Sequence, residues 1–186
     1  MKRVLIVAGE ASADMHAANL VRAILSTSKQ KIEFSGLGGR ELISTGLFTP
    51  EFYNGDFAVS GLWELTGHIK KIYSALKYFK NMASLGSYDA AVLLDYPDFN
   101  IPLAKHLTKT GIPVIYYISP QVWVWRQSRV HSLARNSREL LTIFPFEKDF
   151  YKKHGIDVHY VGHIYCRSLM RFVDYLIINS MTKSGS

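Results

Sequence analysis

Residues 4–8 read Val-Leu-Ile-Val-Ala with Gly9 directly behind them, and this short run limits the fold more than any other feature of the chain. A strand with one wet face alternates apolar and polar residues. A strand with no polar interruption predicts burial on both faces, which is the signature of a parallel sheet covered by helices on either side. Behind it, Ala17, Leu20, Val21, Ile24 and Leu25 recur at helical spacing and predict a helix over residues 12–28 with one apolar face. A strand is thus followed at once by a crossover helix.

The same rhythm continues. Residues 31–37 read as a strand closed by Gly36, Gly38 and Gly39, and residues 39–46 as a short helix. A long periodic segment covers residues 61–85. Strands are then predicted at 90–95, 114–119, 139–144 and 158–161, with helices at 99–109, 128–137 and 147–154. Strands alternating with helices predict an α/β fold, an open, doubly wound parallel sheet with right-handed crossovers. One Rossmann-like domain over residues 1–163 is expected, followed by an added helical tail at 164–186 with apolar positions at Leu169, Phe172, Val173, Leu176 and Ile177.

Composition narrows the partners. With 22 Lys and Arg against 15 Asp and Glu, the net charge of +7 favours anionic ligands: phosphate esters, acidic lipid or nucleic acid. No nucleic-acid motif accompanies the charge, so nucleic acid is not expected. The single cysteine, Cys166, excludes an intramolecular disulfide, and no Cys/His spacing suits zinc. The apolar run at the N-terminus is too short for a secretory leader, and no stretch is long enough for a membrane span.

In an open α/β sheet the ligand lies beyond the carboxyl ends of the strands, so three loops carry the functional candidates. The first is Gly9-Glu10-Ala11-Ser12-Ala13-Asp14, where the free N–H groups of the following helix suit an anion, unless Ser12 or Asp14 only caps that helix. The second is Asp95-Tyr96-Pro97-Asp98-Phe99-Asn100. Two carboxylates leave a buried strand with a proline between them, as a general base requires, although a helix cap has the same spacing. The third, residues 119–126, holds Trp123, Trp125 and Arg126, a surface for a sugar or a phosphate, or else two core tryptophans beside a surface arginine. Neither G-x-G-x-x-G behind the first strand nor a P-loop occurs, so neither a dinucleotide cofactor nor nucleoside triphosphate hydrolysis is supported.

The segments GEASAD (9–14), LLDYPDFNIPLAK (93–105), YYISPQVWVWRQSRV (116–130), FPFEKDFYKKHGI (144–156) and VGH (161–163) together resemble lipid-A-disaccharide synthase, a bacterial GT-B glycosyltransferase. Ala13 stands where that family usually has Gly, and beyond His163 the resemblance ends. The family chain is about twice as long, and its second half carries most of the nucleotide-sugar site. The resemblance implies an inverting hexosyl transfer in lipid A biosynthesis, from UDP-2,3-diacylglucosamine to 2,3-diacylglucosamine 1-phosphate, with no metal or cofactor. It implies Asp98 as the base, Asp95 and Asn100 as its neighbours, and Ser12, Asp14, Trp125 and Arg126 on the acceptor side. It also implies a domain that has no measurable transfer by itself, peripheral to the cytoplasmic face of an inner membrane; a homo-oligomer stays open. A non-catalytic lipid- or sugar-phosphate-binding domain is the rival reading.

In the 61–85 segment, Leu62, Leu65, Ile69, Ile72, Leu76 and Phe79 form an ordinary core stripe. The other side carries Trp63, Lys70 and Lys77 every seven residues with Tyr73 beside them, which fits the interface of an anionic membrane or, more simply, a solvated lysine face.

Overall fold

The structure is a computed structural model and describes residues 1–28, 30–57, 65–120 and 129–162. Seven strands form one parallel sheet: β1 (Lys2–Ala8), β2 (Ile32–Gly38), β3 (Phe48–Tyr53), β4 (Ala90–Leu94), β5 (Val114–Tyr117), β6 (Glu139–Thr142) and β7 (His159–Tyr160), in the order β3-β2-β1-β4-β5-β6-β7. The chain winds outward from β1 to β3, returns to the middle, and winds the other way from β4 to β7. Its helices are α1 (Ala11–Thr27), α2 (Arg40–Ser44), α3 (Leu65–Ser84), α4 (Pro97–Lys109), α5 (Val130–Arg135) and α6 (Pro145–Lys153). The open doubly wound α/β architecture read from the sequence is the observed one.

The side-chain period of two explains both cores. On one face Val4, Ile6, Phe34, Val92 and Tyr117 pack under α1 and α2. On the other, Leu5, Val7, Leu93, Val114 and Tyr116 pack against α3, α4, α5 and α6. Because right-handed crossovers running in opposite directions put their helices on opposite faces, reversal of the winding at β1 produces both layers. Every residue from Val4 to Ala8 is fully buried, as a central strand without polar interruption requires.

Two expectations need correction. The strand β3 went unread because Thr49, Pro50 and Glu51 break the apolar pattern, and an edge strand tolerates such residues, Pro50 included. In α3 the buried positions are Ala75, Phe79 and Ala83, with Ile72 and Leu76 half-buried, whereas Ile69 is 61% exposed. Two alanines let the second half of the helix approach α4 and the Phe52–Phe79 contact closely; Ile69 lies outside that contact and shares the wet face with Lys70, Tyr73 and Lys77. Residues 58–64 and the tail at 163–186, which carry the readings for Trp63 and the added helix, lie outside the described residues, as does 121–128 with Trp125 and Arg126.

Candidate active site

The winding reverses between β1 and β4, which pair from Val4↔Ala90 to Ala8↔Leu94. Beyond that last pair the two loops leave the carboxyl ends of adjacent strands, the position at which such sheets hold ligands. Gly9 and Glu10 rise from β1 on one side, and Asp95 to Asp98 from β4 on the other.

Backbone strain marks this edge of the sheet. Among the described residues the positive-φ positions other than glycine are Asp95 (φ 44°), Tyr96 (φ 44°) and Ile118 (φ 65°), all directly behind β4 or β5. Left-handed backbone is costly for any side chain and rare for a β-branched one, so neighbouring groups must hold it. At Asp95 they do. Its carbonyl accepts the Tyr116 hydroxyl at 2.6 Å and the Asn100 amide at 2.9 Å, and its N–H donates to the Ile118 carbonyl at 3.3 Å. Burial first, and then the charge of Asp95, keep the Tyr116 phenol protonated well above its ordinary range, so it remains a donor. Asn100 is fully buried and also donates to the Leu94 carbonyl at 3.0 Å. Through these two donations it braces the turn.

The two carboxylates of this loop differ. Asp95 is half-buried, and desolvation, followed by the nearby Glu10 charge, raises its pKa to about 6 against the opposing N–H of Tyr96. Asp98, on the first turn of α4, has a side chain 77% exposed and forms an ion pair with Arg129 at 2.8 Å.

Asp14 has a task that the sequence did not reveal. It is 3% exposed, and its carboxylate accepts the N–H groups of Gly39 (2.7 Å), Glu41 (2.8 Å) and Leu42 (3.3 Å). It caps α2, a helix 25 or more residues away, and not the helix on which it stands. Ser12 is exposed on the first turn of α1, whose N-cap makes no side-chain hydrogen bond. At the next loop the Ser119 and Tyr151 hydroxyls share a short hydrogen bond, and Ser119 N–H donates to the Leu141 carbonyl at 3.2 Å, so the lead into residues 121–128 is anchored.

Sequence reasoning passed over Glu10, Tyr96, Tyr116 and Tyr151 as site residues. A Tyr-Tyr pair in an apolar strand is a detectable signal, since a buried phenol needs a partner. The left-handed turn has little, because aspartate tolerates such backbone but is common elsewhere too, and nothing about Tyr96 announces it. No cluster of three or more metal-ligating residues occurs among the described residues.

Comparison with known proteins decides the ancestry of this crevice. The family model described as lipid-A-disaccharide synthetase matches residues 4–172. The chain belongs to that family. The match runs past His163, where the sequence reading has the resemblance end. Lipid-A-disaccharide synthase of Geobacter metallireducens is 43% identical over 162 residues, covering 87% of this chain and 42% of the relative. That of Koribacter versatilis is 40% identical, covering 88% and 42%. The chain therefore spans about two-fifths of the length of the curated relatives it matches. Among solved structures, UDP-GlcNAc 2-epimerase from Neisseria meningitidis, bound to UDP-GlcNAc, aligns with a TM-score of 0.60 at 14% identity over 98% of this chain and 52% of the epimerase. The epimerase from Methanocaldococcus jannaschii gives 0.57 at 14% identity, with 100% and 53% covered. At such identities the likeness concerns the fold alone.

Proposed function

We propose that this chain is the acceptor-side domain of a lipid-A-disaccharide synthase and supplies the general base for glycosyl transfer in lipid A biosynthesis. The donor is UDP-2,3-diacylglucosamine, the acceptor 2,3-diacylglucosamine 1-phosphate. The acceptor hydroxyl loses its proton to the base as its oxygen bonds to the anomeric carbon, and the bond from that carbon to UDP breaks on the opposite face, so configuration inverts. The observation that carries the reading is the half-buried Asp95 at the β1/β4 crevice.

Of the two carboxylates, geometry supports Asp95 over Asp98. A base works best with a pKa near the operating pH, and Asp95 at about 6 is so tuned. Asp98 is open to water and engaged by Arg129, which fits orientation of the loop or an anionic substrate. Ser12, at the open N-terminal turn of α1, suits the acceptor phosphate together with Arg126 and Trp125.

The test joins this chain to the remaining portion of a relative and measures disaccharide formation. Asp95→Asn is expected to lower turnover by roughly 10²- to 10⁴-fold with acceptor binding retained, and Asp98→Asn by less. The reverse order would return the base to Asp98. Parent-level turnover in both variants would remove the base from this loop and leave this domain a lipid- or sugar-phosphate-binding role.

We further infer that the exposed face of α3 meets an anionic membrane surface from one side. Ile69 (61% exposed) and Tyr73 (69%) stand among Lys70, Lys71 and Lys77, the mixture of apolar, aromatic and basic groups that an interface favours. Among the described residues no helix is long and apolar enough to cross a membrane. Basic residues near an anionic surface contribute about 1 kcal/mol each, so Lys70→Glu with Lys77→Glu should abolish co-sedimentation with anionic vesicles. Unchanged sedimentation of the folded variant would remove this face from consideration.

A further inference from the structure

Gly9 has no left-handed backbone to explain it, yet its site has no room for a side chain. A methyl carbon built on Gly9 falls 2.7 Å from Cγ and 2.9 Å from Cε1 of Tyr96. The ring of Tyr96 thus lies directly on the backbone of the β1 loop. The ring also stacks on Phe99 at a centroid distance of 5.6 Å with planes 16° apart. A tyrosine at φ 44° is an expensive choice for the residue before Pro97, and this ring is wedged between the two loops that form the crevice.

We propose that Tyr96 is a positioning residue: its ring, seated on Gly9, clamps the β4 loop to the β1 loop and so fixes the Asp95 carboxylate opposite Glu10. The inference rests on the reading of this crevice as the acceptor site. It adds a dependence of the base on a residue that touches neither proton nor sugar. Tyr116 and Asn100 hold the Asp95 carbonyl from below, which sets the backbone but leaves the side chain to be oriented. The Tyr96 N–H that bonds the Asp95 carboxylate belongs to the backbone and survives truncation of the side chain; what depends on the ring is the closeness of Asp95 to Glu10 and its shelter from water, the two causes that raise its pKa. The charged or titratable groups around the carboxylate are Glu10 from the start of α1, Tyr116 from β5 and Tyr96 from its own loop, with the Asp98–Arg129 pair farther along α4.

The clamp is tested on this chain without any assay of turnover, so its outcome is separate from that of the base assignment. The carboxyl carbon of Asp95 is followed by NMR across pH 3 to 9 in aspartate-labelled protein. In the parent the midpoint is expected at about 6. In Tyr96→Ala it should fall by at least roughly one unit, toward the ordinary carboxylate value near 4. Tyr96→Phe should keep the parent midpoint, because the ring and not the hydroxyl makes the contact. Gly9→Ala should lower the midpoint or unfold the chain, and adding Tyr96→Ala should restore the fold and give the midpoint of Tyr96→Ala alone, since the added methyl no longer meets a ring. An Asp95 midpoint unmoved by Tyr96→Ala overturns the proposal. So does Gly9→Ala damage that is equal with and without the ring.

Discussion

Asp14 and Asp95 stand at the same carboxyl edge of the same sheet, and both are drawn out of water, yet they are opposites in chemistry. Three backbone N–H groups converge on Asp14, so its burial is compensated and its oxygens are used up. Asp95 receives the Tyr96 N–H and faces the like charge of Glu10, so its burial is uncompensated and its affinity for a proton rises. Burial of an acid therefore indicates nothing about function until its partners are counted. A satisfied carboxylate is part of the scaffold; an under-satisfied one, held by a strained turn, stores reactivity.

The largest effect that can break this contrast is the loss of the Asp14 cap. Asp14→Ala strands three donors at the start of α2, two of them buried, and hydrogen bonds to charged acceptors are worth about 1.5–3 kcal/mol each. Because water reaches part of the vacated site, the expected loss is roughly 2–4 kcal/mol, seen as a lower urea midpoint with an unchanged slope. Asp14→Asn, which keeps one acceptor oxygen, should lose about half as much. A variant as stable as the parent would mean that α2 does not depend on this carboxylate, and would return Asp14 to the ligand candidates.

How much of this was legible in advance follows from the range of each interaction. Strand β1, helix α1 and the doubly wound order depend on local periodicity, which a single sequence carries. Both loops of the crevice were found because a parallel sheet always presents its carboxyl ends. The Asp14 cap was not found, since Gly39 and Glu41 lie more than 20 residues along the chain and nothing local announces that they meet it. The sequence reading names Asp98 as the base on motif alone; it had no means to weigh the two carboxylates by their partners, since only folding brings Glu10 near Asp95 and Arg129 onto Asp98. Edge strand β3 was hidden by the polar residues that an edge accepts.

A smaller and opposite effect should follow from Asp95. In the unfolded chain its carboxyl titrates near 3.9, and in the folded protein at about 6. Between these values the folded state holds the proton that the unfolded state has released, so stability contributed by this group falls as pH rises through the window and stays low above it. Asp95→Asn removes the charge and with it the penalty. The variant should be more stable than the parent by about 2 kcal/mol at pH 7, after allowance for solvent reaching a group only half-buried, and equal to it near pH 3.5. Chemical denaturation at the two pH values measures the difference directly. Asp98→Asn is the control on the same loop: an ion pair with one partner 77% exposed is worth under about 1 kcal/mol and weakens with salt, so its effect on stability should be small. If Asp95→Asn gains nothing at pH 7, the turn has compensated its carboxylate after all. Asp95 would then be a second Asp14, and the contrast between scaffold and reactive acid would have to be sought elsewhere along the crevice.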